Sequence, residues 1–254
     1  MDMQQKLQDM AAAARMAGDT VRSRGEFRVE KKTQQNDYVT EMDVLSETMI
    51  REALLGKYPE DGFYGEEGGQ TEVKRGRFIV DPIDGTTNFI HGIAPWTVSI
   101  AYELDGVIEL GCVYAPLTGE MFTAQRGKGA FCGEKLLKVS DEELHMAVVG
   151  TSFAHRNPAH NARMLRLFPK MCPRVNDLRR LGSAAYDLCM VAAGRYGAFL
   201  ELGLNLYDFA AGVLMVQEAG GVVSAWDDDD YRGSGDILAG SAKLVAQLKE
   251  IIKE

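Results

Sequence analysis

The chain has 254 residues, 46% of them hydrophobic and 26% charged, a composition that excludes disorder and collagen-like structure and suffices for a buried core without staples. Asp and Glu number 37 against 28 Lys and Arg, and the formal charge of −9 argues against nucleic acid as a partner, since phosphate backbones need clustered positive charge. Acidic small molecules stay open, because a bound divalent cation inverts the local field.

Leu7, Met10, Ala11, Ala14, Ala17 and Val21 recur at helical spacing and predict an amphipathic helix over the first two dozen residues. A second helix is predicted from Glu41 to Lys57, capped by Thr40, with Val44, Leu45, Thr48, Ile50, Leu54 and Leu55 as its apolar face. From Phe78 the pattern turns to strands. FIVD is expected to stop at Asp81-Pro82, and WTVSIAYEL and VIELGCVYAP form a hairpin about Asp105-Gly106. GEMFTAQRG and GAFCG continue the β-rich stretch. In the second half MAVVGTS reads as a strand, followed by helices over Asn161–Lys170 and Gly182–Ala193, the latter capped by Ser183. YGAFLEL is a strand, Leu206–Ala219 a helix closed by Gly220-Gly221, and GVVSAW and DILAG are strands. Leu244, Val245, Leu248, Ile251 and Ile252 mark a last amphipathic helix.

This rhythm gives an α+β half, about residues 1–140, and an α/β half, about 141–254. Cys112, Cys132, Cys172 and Cys189 are widely spaced with no C-x-x-C pair, so small hydrophobes in a reducing compartment are expected rather than disulfides or a zinc site. The opening MDMQQKLQDM has no leader pattern and no stretch approaches a membrane span, so a cytoplasmic location and no membrane partner are expected.

The chemistry sits in the carboxylates. Asp81 and Asp84 lie in DPIDGTTN directly after an apolar strand, with Gly85, Thr86 and Thr87 opening a short helix. That segment pairs hard oxygen ligands with backbone donors suited to phosphate, an arrangement Mg²⁺ favours. Glu66 and Glu67 lie in the Gly-flanked turn GFYGEEGG, Asp208 starts the helix LYDFAAG, and Glu201 ends a strand seven residues earlier. Each of these alone reads as solvated surface or a helix cap. Two carboxylates fixed as close as Asp81 and Asp84 repel unless positive charge sits between them.

GEE, DPIDGTTNF and the later pairing of Glu201 with DFAAG resemble the inositol monophosphatase family of magnesium-dependent, lithium-sensitive phosphatases. Val39-Thr40 with Asp43, Gly182-Ser183-Ala184-Ala185 and Ala219-Gly220-Gly221 extend the resemblance over nearly the whole chain. It implies a layered αβαβα sandwich of mixed α/β class, one domain over residues 1–254, and a homodimer. It also implies two to three Mg²⁺ per site. Glu66, Asp81 and the carbonyl of Ile83 would hold the first ion, Asp81, Asp84 and Asp208 the second, and Glu66 a weaker third near Asp43. Thr86, paired with Glu66, would orient the attacking water, with Asp84 beside it, and the amides of Gly85 and Thr86 would hold the phosphate. Glu201 would contact substrate hydroxyls, with Ser183, Ala184 and Asp208 lining the same pocket, and Lys32 matches a lysine near the outer metal. Tyr207 stands where the family has Trp, and Asn205 and Leu206 hold positions that vary with the alcohol.

The implied reaction is hydrolysis of a small phosphate monoester by direct attack of water, with inositol 1-phosphate as first substrate. Fructose 1,6-bisphosphate, histidinol phosphate and 3′-phosphoadenosine 5′-phosphate are alternatives on the same chemistry. A non-catalytic part in a transcription antitermination complex is implied by likeness around Arg179-Arg180-Leu181-Gly182-Ser183, whose simpler reading is a basic surface or dimer contact. Asp227–Asp230 is no EF-hand, having Arg232 and Leu238 where Gly and Glu are required, and His91, His145, His155 and His160 show no metal spacing.

Overall fold

Strand side chains alternate between the two faces of a sheet, and here both faces are apolar. In the computed structural model, which describes residues 2–25, 27–31, 38–71, 75–153, 157–227 and 230–254, this alternation builds the layers. The first part holds α1 (Met3–Ser23), β1 (Val29–Lys31), β2 (Tyr38–Thr40), α2 (Glu41–Lys57), β3 (Gly62–Gly65), β4 (Gly69–Gln70), β5 (Gly76–Asp84) and α3 (Thr86–Ile90). There follow β6 (Thr97–Leu104), β7 (Val107–Ala115), β8 (Glu120–Gln125), β9 (Gly129–Cys132) and β10 (Lys135–Leu136). The remainder comprises β11 (Val148–Thr151), α4 (Pro158–Met171), β12 (Asp177–Arg179), α5 (Ala184–Ala192), β13 (Ala198–Glu201), α6 (Leu206–Glu218), β14 (Val222–Ser224), α7 (Tyr231–Ser234), β15 (Ile237–Gly240) and α8 (Ala242–Lys253).

An eight-stranded sheet runs β10-β9-β8-β7-β6-β5-β3-β4, and a five-stranded one runs β12-β11-β13-β15-β14. Phe78 and Val80 of β5 pack with Met10, Ala14 and Val21 of α1 and Ile50 and Leu54 of α2. Ile79, between them, points the other way, into a core shared with Leu188 of α5 and Leu214 of α6. Phe199 of β13 and Ala239 of β15 enter that same core from the smaller sheet. Their neighbours Ala198, Leu200 and Leu238 face Met164 of α4 and Leu244 and Leu248 of α8. The order is helix, sheet, helix, sheet, helix: the expected αβαβα sandwich.

Glycine lets the middle layer approach closely. A Cβ on Gly111 of β7 would stand 2.9 Å from the Ala211 carbonyl of α6, and one on Gly212 would stand 2.6 Å from Leu188 Cβ on α5.

The hairpin turn is as expected, with Asp105 and Gly106 both at positive φ (50° and 81°). Four local expectations are corrected. β5 does not stop at Asp81-Pro82 but continues to Asp84 through a register shift, Asp81 lying opposite Ser99 and Asp84 opposite Thr97. Pairing with β3 has already ended at Val80, so the missing N–H of Pro82 leaves no ladder partner wanting. The α2 face is rotated: Val44 is exposed, while Asp43, Ser46 and Glu47 are buried beside Ile50 and Leu54. Each of the three finds a polar partner inside, which is what permits burial. GFYG, expected as part of a turn, is β3. Finally α4 begins at Pro158, earlier than expected, because Asn157 Oδ1 accepts from the amides of Ala159 (3.0 Å) and His160 (3.3 Å).

All four cysteines are free thiols. Among the described residues no helix is long and apolar enough to cross a membrane. Asp227 pairs with Arg163 and Asp230 caps α7, while Asp228, Asp229, Lys32 and His155 lie outside the described residues.

Two tests follow from the packing. Gly111→Val should lower stability by ~1–3 kcal/mol through overpacking, seen as a lower urea midpoint at unchanged slope. Glu120 of β8 accepts from Tyr186 (2.7 Å) and Thr118 (3.0 Å) and pairs with Arg195 (2.6 Å). Burial raises its pKa, but these donors outweigh it and hold the carboxyl below its usual value. Its contribution is therefore complete above the unfolded-state pKa and lost as pH falls through the folded one. Acid unfolding curves of Glu120→Gln and wild type should converge at low pH and separate, wild type the more stable, near neutrality.

Candidate active site

A cavity of about 850 Å³ opens where the end of β5, the turn after β3 and the N-termini of α5 and α6 meet. Glu66, Asp81, Ile83, Asp84, Gly85, Thr86, Ala184, Glu201 and Asp208, all expected at the site, line it together. Asp43 and Ser183 do not; they stand behind it.

Asp84 is held hardest. Its Oδ2 accepts from Ser183 Oγ (2.6 Å) and the Ala185 amide (2.8 Å), and its Oδ1 from the Ala184 amide (3.2 Å). Ser183 was expected to cap α5, but its side chain makes no capping bond; the hydroxyl goes to Asp84 instead. Burial pushes the Asp84 carboxyl up to about 6, with Ser183 and the two amides pulling it back. Asp81 accepts from the Ile83 amide at 3.1 Å. Burial, then the charges of Glu66, Asp84, Asp208 and Asp43, raise it well above the carboxylate range. Asp208 likewise is raised by desolvation and by Asp84 and Glu66, although its Oδ2 accepts from the Asn205 amide at 2.6 Å in a capping box. It is thus a cap and a cavity carboxylate at once.

Asp43 completes the capping box of α2, accepting from the Thr40 amide (2.8 Å) and hydroxyl (2.6 Å). Its other oxygen lies 3.3 Å from Thr86 Oγ1, which is also 3.1 Å from the Ile83 carbonyl. Burial raises Asp43 to about 7. Thr86 was expected to pair with Glu66; the geometry joins it to Asp43.

Several contributors escaped the sequence reading. Glu47 accepts from the amides of Glu67 and Gly68, both at 2.8 Å, and pairs with Arg51 at 2.9 Å, so it clamps the turn that carries Glu66. A Cβ on Gly65 or Gly68 would sit 2.2 or 2.5 Å from the Glu47 carboxylate, which is why that turn is glycine-flanked. The signal was a Glu on the buried side of α2. Asn88 ties the Pro95 and Leu181 carbonyls together at 2.7 and 2.6 Å. Asp187 is buried in α5 with Oδ1 lacking a hydrogen-bond partner, and burial, then Glu201 and Asp84, raise it well above its usual value. Arg180, read as surface, lines the cavity, as do Asn157 and His160. Tyr207 packs edge-on against Tyr64 with ring centroids 5.7 Å apart, so the aromatic position keeps its packing role. Asn205 lines the cavity; Leu206 turns instead toward the core beneath α6.

The donor set fits a hard divalent cation. Carboxylates crowd together at elevated pKa, and Arg180 is the sole Lys or Arg among the described lining residues. Among the described residues no group of three or more His, Cys, Asp or Glu side chains is placed to hold a metal ion by itself. Mg²⁺ keeps several waters and takes oxygens from its substrate, so it asks for few protein ligands.

Residues 2–253 match the inositol monophosphatase family. The chain is 39% identical to the Nus factor SuhB of Vibrio cholerae, over 95% of this chain and 93% of that protein. It is 40% identical to the inositol-1-monophosphatase of Rhizobium meliloti, over 85% and 83% of the two chains. The crystal structure of extragenic suppressor protein suhB from Bartonella henselae superposes with a TM-score of 0.93 at 39% identity, covering 97% of this chain and 98% of that one. The chain belongs to the inositol monophosphatase family.

Proposed function

We propose that this protein hydrolyses a small phosphate monoester with Mg²⁺, inositol 1-phosphate being the first substrate to test. The observation that carries the reading is the crowding of Glu66, Asp81, Asp84 and Asp208 in one cavity beside Gly85 and Thr86. Among the described residues that line the cavity, Arg180 is the sole side-chain cation. Glu66, Asp81 and the Ile83 carbonyl would hold one ion, and Asp81, Asp84 and Asp208 a second, with Glu66 also facing a weaker third. When bound, Mg²⁺ acidifies a water and offsets charge on the phosphate and the leaving oxygen.

The chain's own residues do the positioning. The Thr86 hydroxyl has one proton, and the Ile83 carbonyl and Asp43 Oδ1 both stand within its reach. Its lone pairs are left to accept from a water and aim it. Asp43 acts through Thr86 rather than on the substrate. The backbone at Gly85 and Thr86 receives the phosphate, and Gly85 must be glycine there: φ is +94°, and a Cβ would stand 3.1 Å from the Gly182 carbonyl. Glu201 and Ala184 lie on the alcohol side, where Glu201 accepts from substrate hydroxyls. The protein would act as a homodimer, with lithium as an inhibitor. Fructose 1,6-bisphosphate, histidinol phosphate and 3′-phosphoadenosine 5′-phosphate remain alternative substrates.

A second reading, a part in a transcription complex, is favoured by relatives that are named as Nus factors, such as that of Vibrio cholerae. It needs no cavity carboxylate, so variants that abolish hydrolysis should leave it intact.

Phosphate release over the four substrates, with and without Mg²⁺, tests the main reading; no turnover of any by folded, Mg²⁺-binding protein overturns it. Asp81→Asn is the more informative variant than Asp84→Asn, since Asp84 also anchors α5. An acid whose folded pKa is raised costs the fold stability progressively as pH rises above its unfolded pKa, so removing the ionisable group should raise the metal-free melting temperature at pH 7. The same variant should lose the Mg²⁺-induced rise in melting temperature and at least ~100-fold of activity. Glu47→Ala should raise the Mg²⁺ concentration for half-maximal activity several-fold and speed hydrogen exchange at the Glu67 and Gly68 amides. Glu47→Gln, which keeps an acceptor, should do less.

A further inference from the structure

Arg180 lines the same cavity as Glu66, Asp81, Asp84, Glu201 and Asp208. An arginine in such company normally pairs. Arg179, one residue earlier, pairs with Asp177 at 2.5 Å and donates to the Leu178 carbonyl at 2.9 Å. Arg180 makes no ion pair or side-chain hydrogen bond among the described residues, and its side chain is exposed.

What places its guanidinium is glycine. Gly182 has φ of +84°, and a Cβ there would stand 3.2 Å from Arg180 Nη1 and 3.4 Å from Asn88 Nδ2. The absence of a side chain lets the guanidinium lie along the backbone at the cavity edge. The Gly182 carbonyl in turn abuts Gly85. Arg180 therefore stands one residue's width from the segment proposed to hold the reacting phosphate. Asn157, His160 and Asn205 line the same cavity, whose volume of about 850 Å³ leaves room for the rest of a substrate. A planar fork of donors, unpaired and beside an anion site, matches phosphate oxygens in charge and shape.

We propose that Arg180 is a specificity-determining residue that recognises a second phosphate on the alcohol portion of the substrate. The inference rests on the phosphatase reading and, among the substrates that reading allows, favours those that carry a second phosphate. The cavity then divides its labour: carboxylates and their cations take the reacting phosphate, and Arg180 takes the distal one without a metal.

Steady-state hydrolysis of fructose 1-phosphate and fructose 1,6-bisphosphate, which differ by one phosphate, tests it in wild type, Arg180→Gln and Arg180→Lys. Wild type should prefer the bisphosphate through KM. The bisphosphate-to-monophosphate ratio of kcat/KM should fall about tenfold in Arg180→Gln, with kcat for the bisphosphate moving far less than KM, and only partly in Arg180→Lys. An unchanged ratio, or an equal loss on both substrates, overturns the proposal. If wild type hydrolyses neither, calorimetric titration of fructose 1,6-bisphosphate into the Mg²⁺-loaded protein separates the two ideas. Binding that Arg180→Gln abolishes upholds the phosphate contact, and the four-substrate assay decides the phosphatase reading separately. No binding to wild type overturns the proposal and leaves that reading to the same assay.

Discussion

The carboxylate of Asp84 at the start of α5 is the contact on which the site depends. It ends a strand of the large sheet, yet its partners, Ser183 Oγ and the amides of Ala184 and Ala185, belong to the helix layer between the sheets. A helix N-terminus carries unsatisfied N–H groups and partial positive charge, so a carboxylate there answers both needs at once. Gly85 and Gly182, each at positive φ, let the two backbones meet without side chains between them. Remove this joint and the cavity has no common frame, because Asp81 rides on β5 while Ala184 rides on α5.

Around that joint the protein tolerates charge in the wrong place. Asp81 and Asp208 sit where burial and neighbouring carboxylates both disfavour ionisation, a strain that a bound cation would relieve. Full neutralisation by lysine or arginine would have satisfied the carboxylates permanently and left nothing for a metal to relieve. The supporting shell follows the opposite rule. Asp43 and Glu47 are buried too, but each is met by backbone or hydroxyl donors before it meets the cavity. The positioning residues have their charge met by donors, whereas Asp81 and Asp208 keep neighbouring carboxylates that raise them.

This division explains what could be read from the chain and what could not. The periodic apolar rows of α1 and α8, the Asp105-Gly106 hairpin and the acidic run from Asp81 to Asp84 are local signals, and the folded chain keeps them all. The face of α2 was misread because periodicity counts apolar residues, whereas Ser46 and Glu47 are drawn inward by the Pro82 carbonyl and by the turn after β3, partners distant in sequence. Ser183 looked like a cap for the same reason: position marks a cap, but only tertiary structure shows that Asp84 takes its hydroxyl. Pro82 looked like a stop because the register shift that accommodates it belongs to the pairing with β6.

The same reasoning bears on the two arginines after β12. As a dipeptide they are equivalent, and a basic pair on an acidic chain reads as surface. Strand geometry separates them. Arg179 closes the edge strand and turns to Asp177, and the chain then bends through Gly182 so that Arg180 falls on the cavity side. Among the described residues Arg180 is a cation paired with no cavity carboxylate, as Asp81 and Asp208 are carboxylates paired with no cation. In a site built from unmet charge, each such group points to the part of a ligand that would meet it.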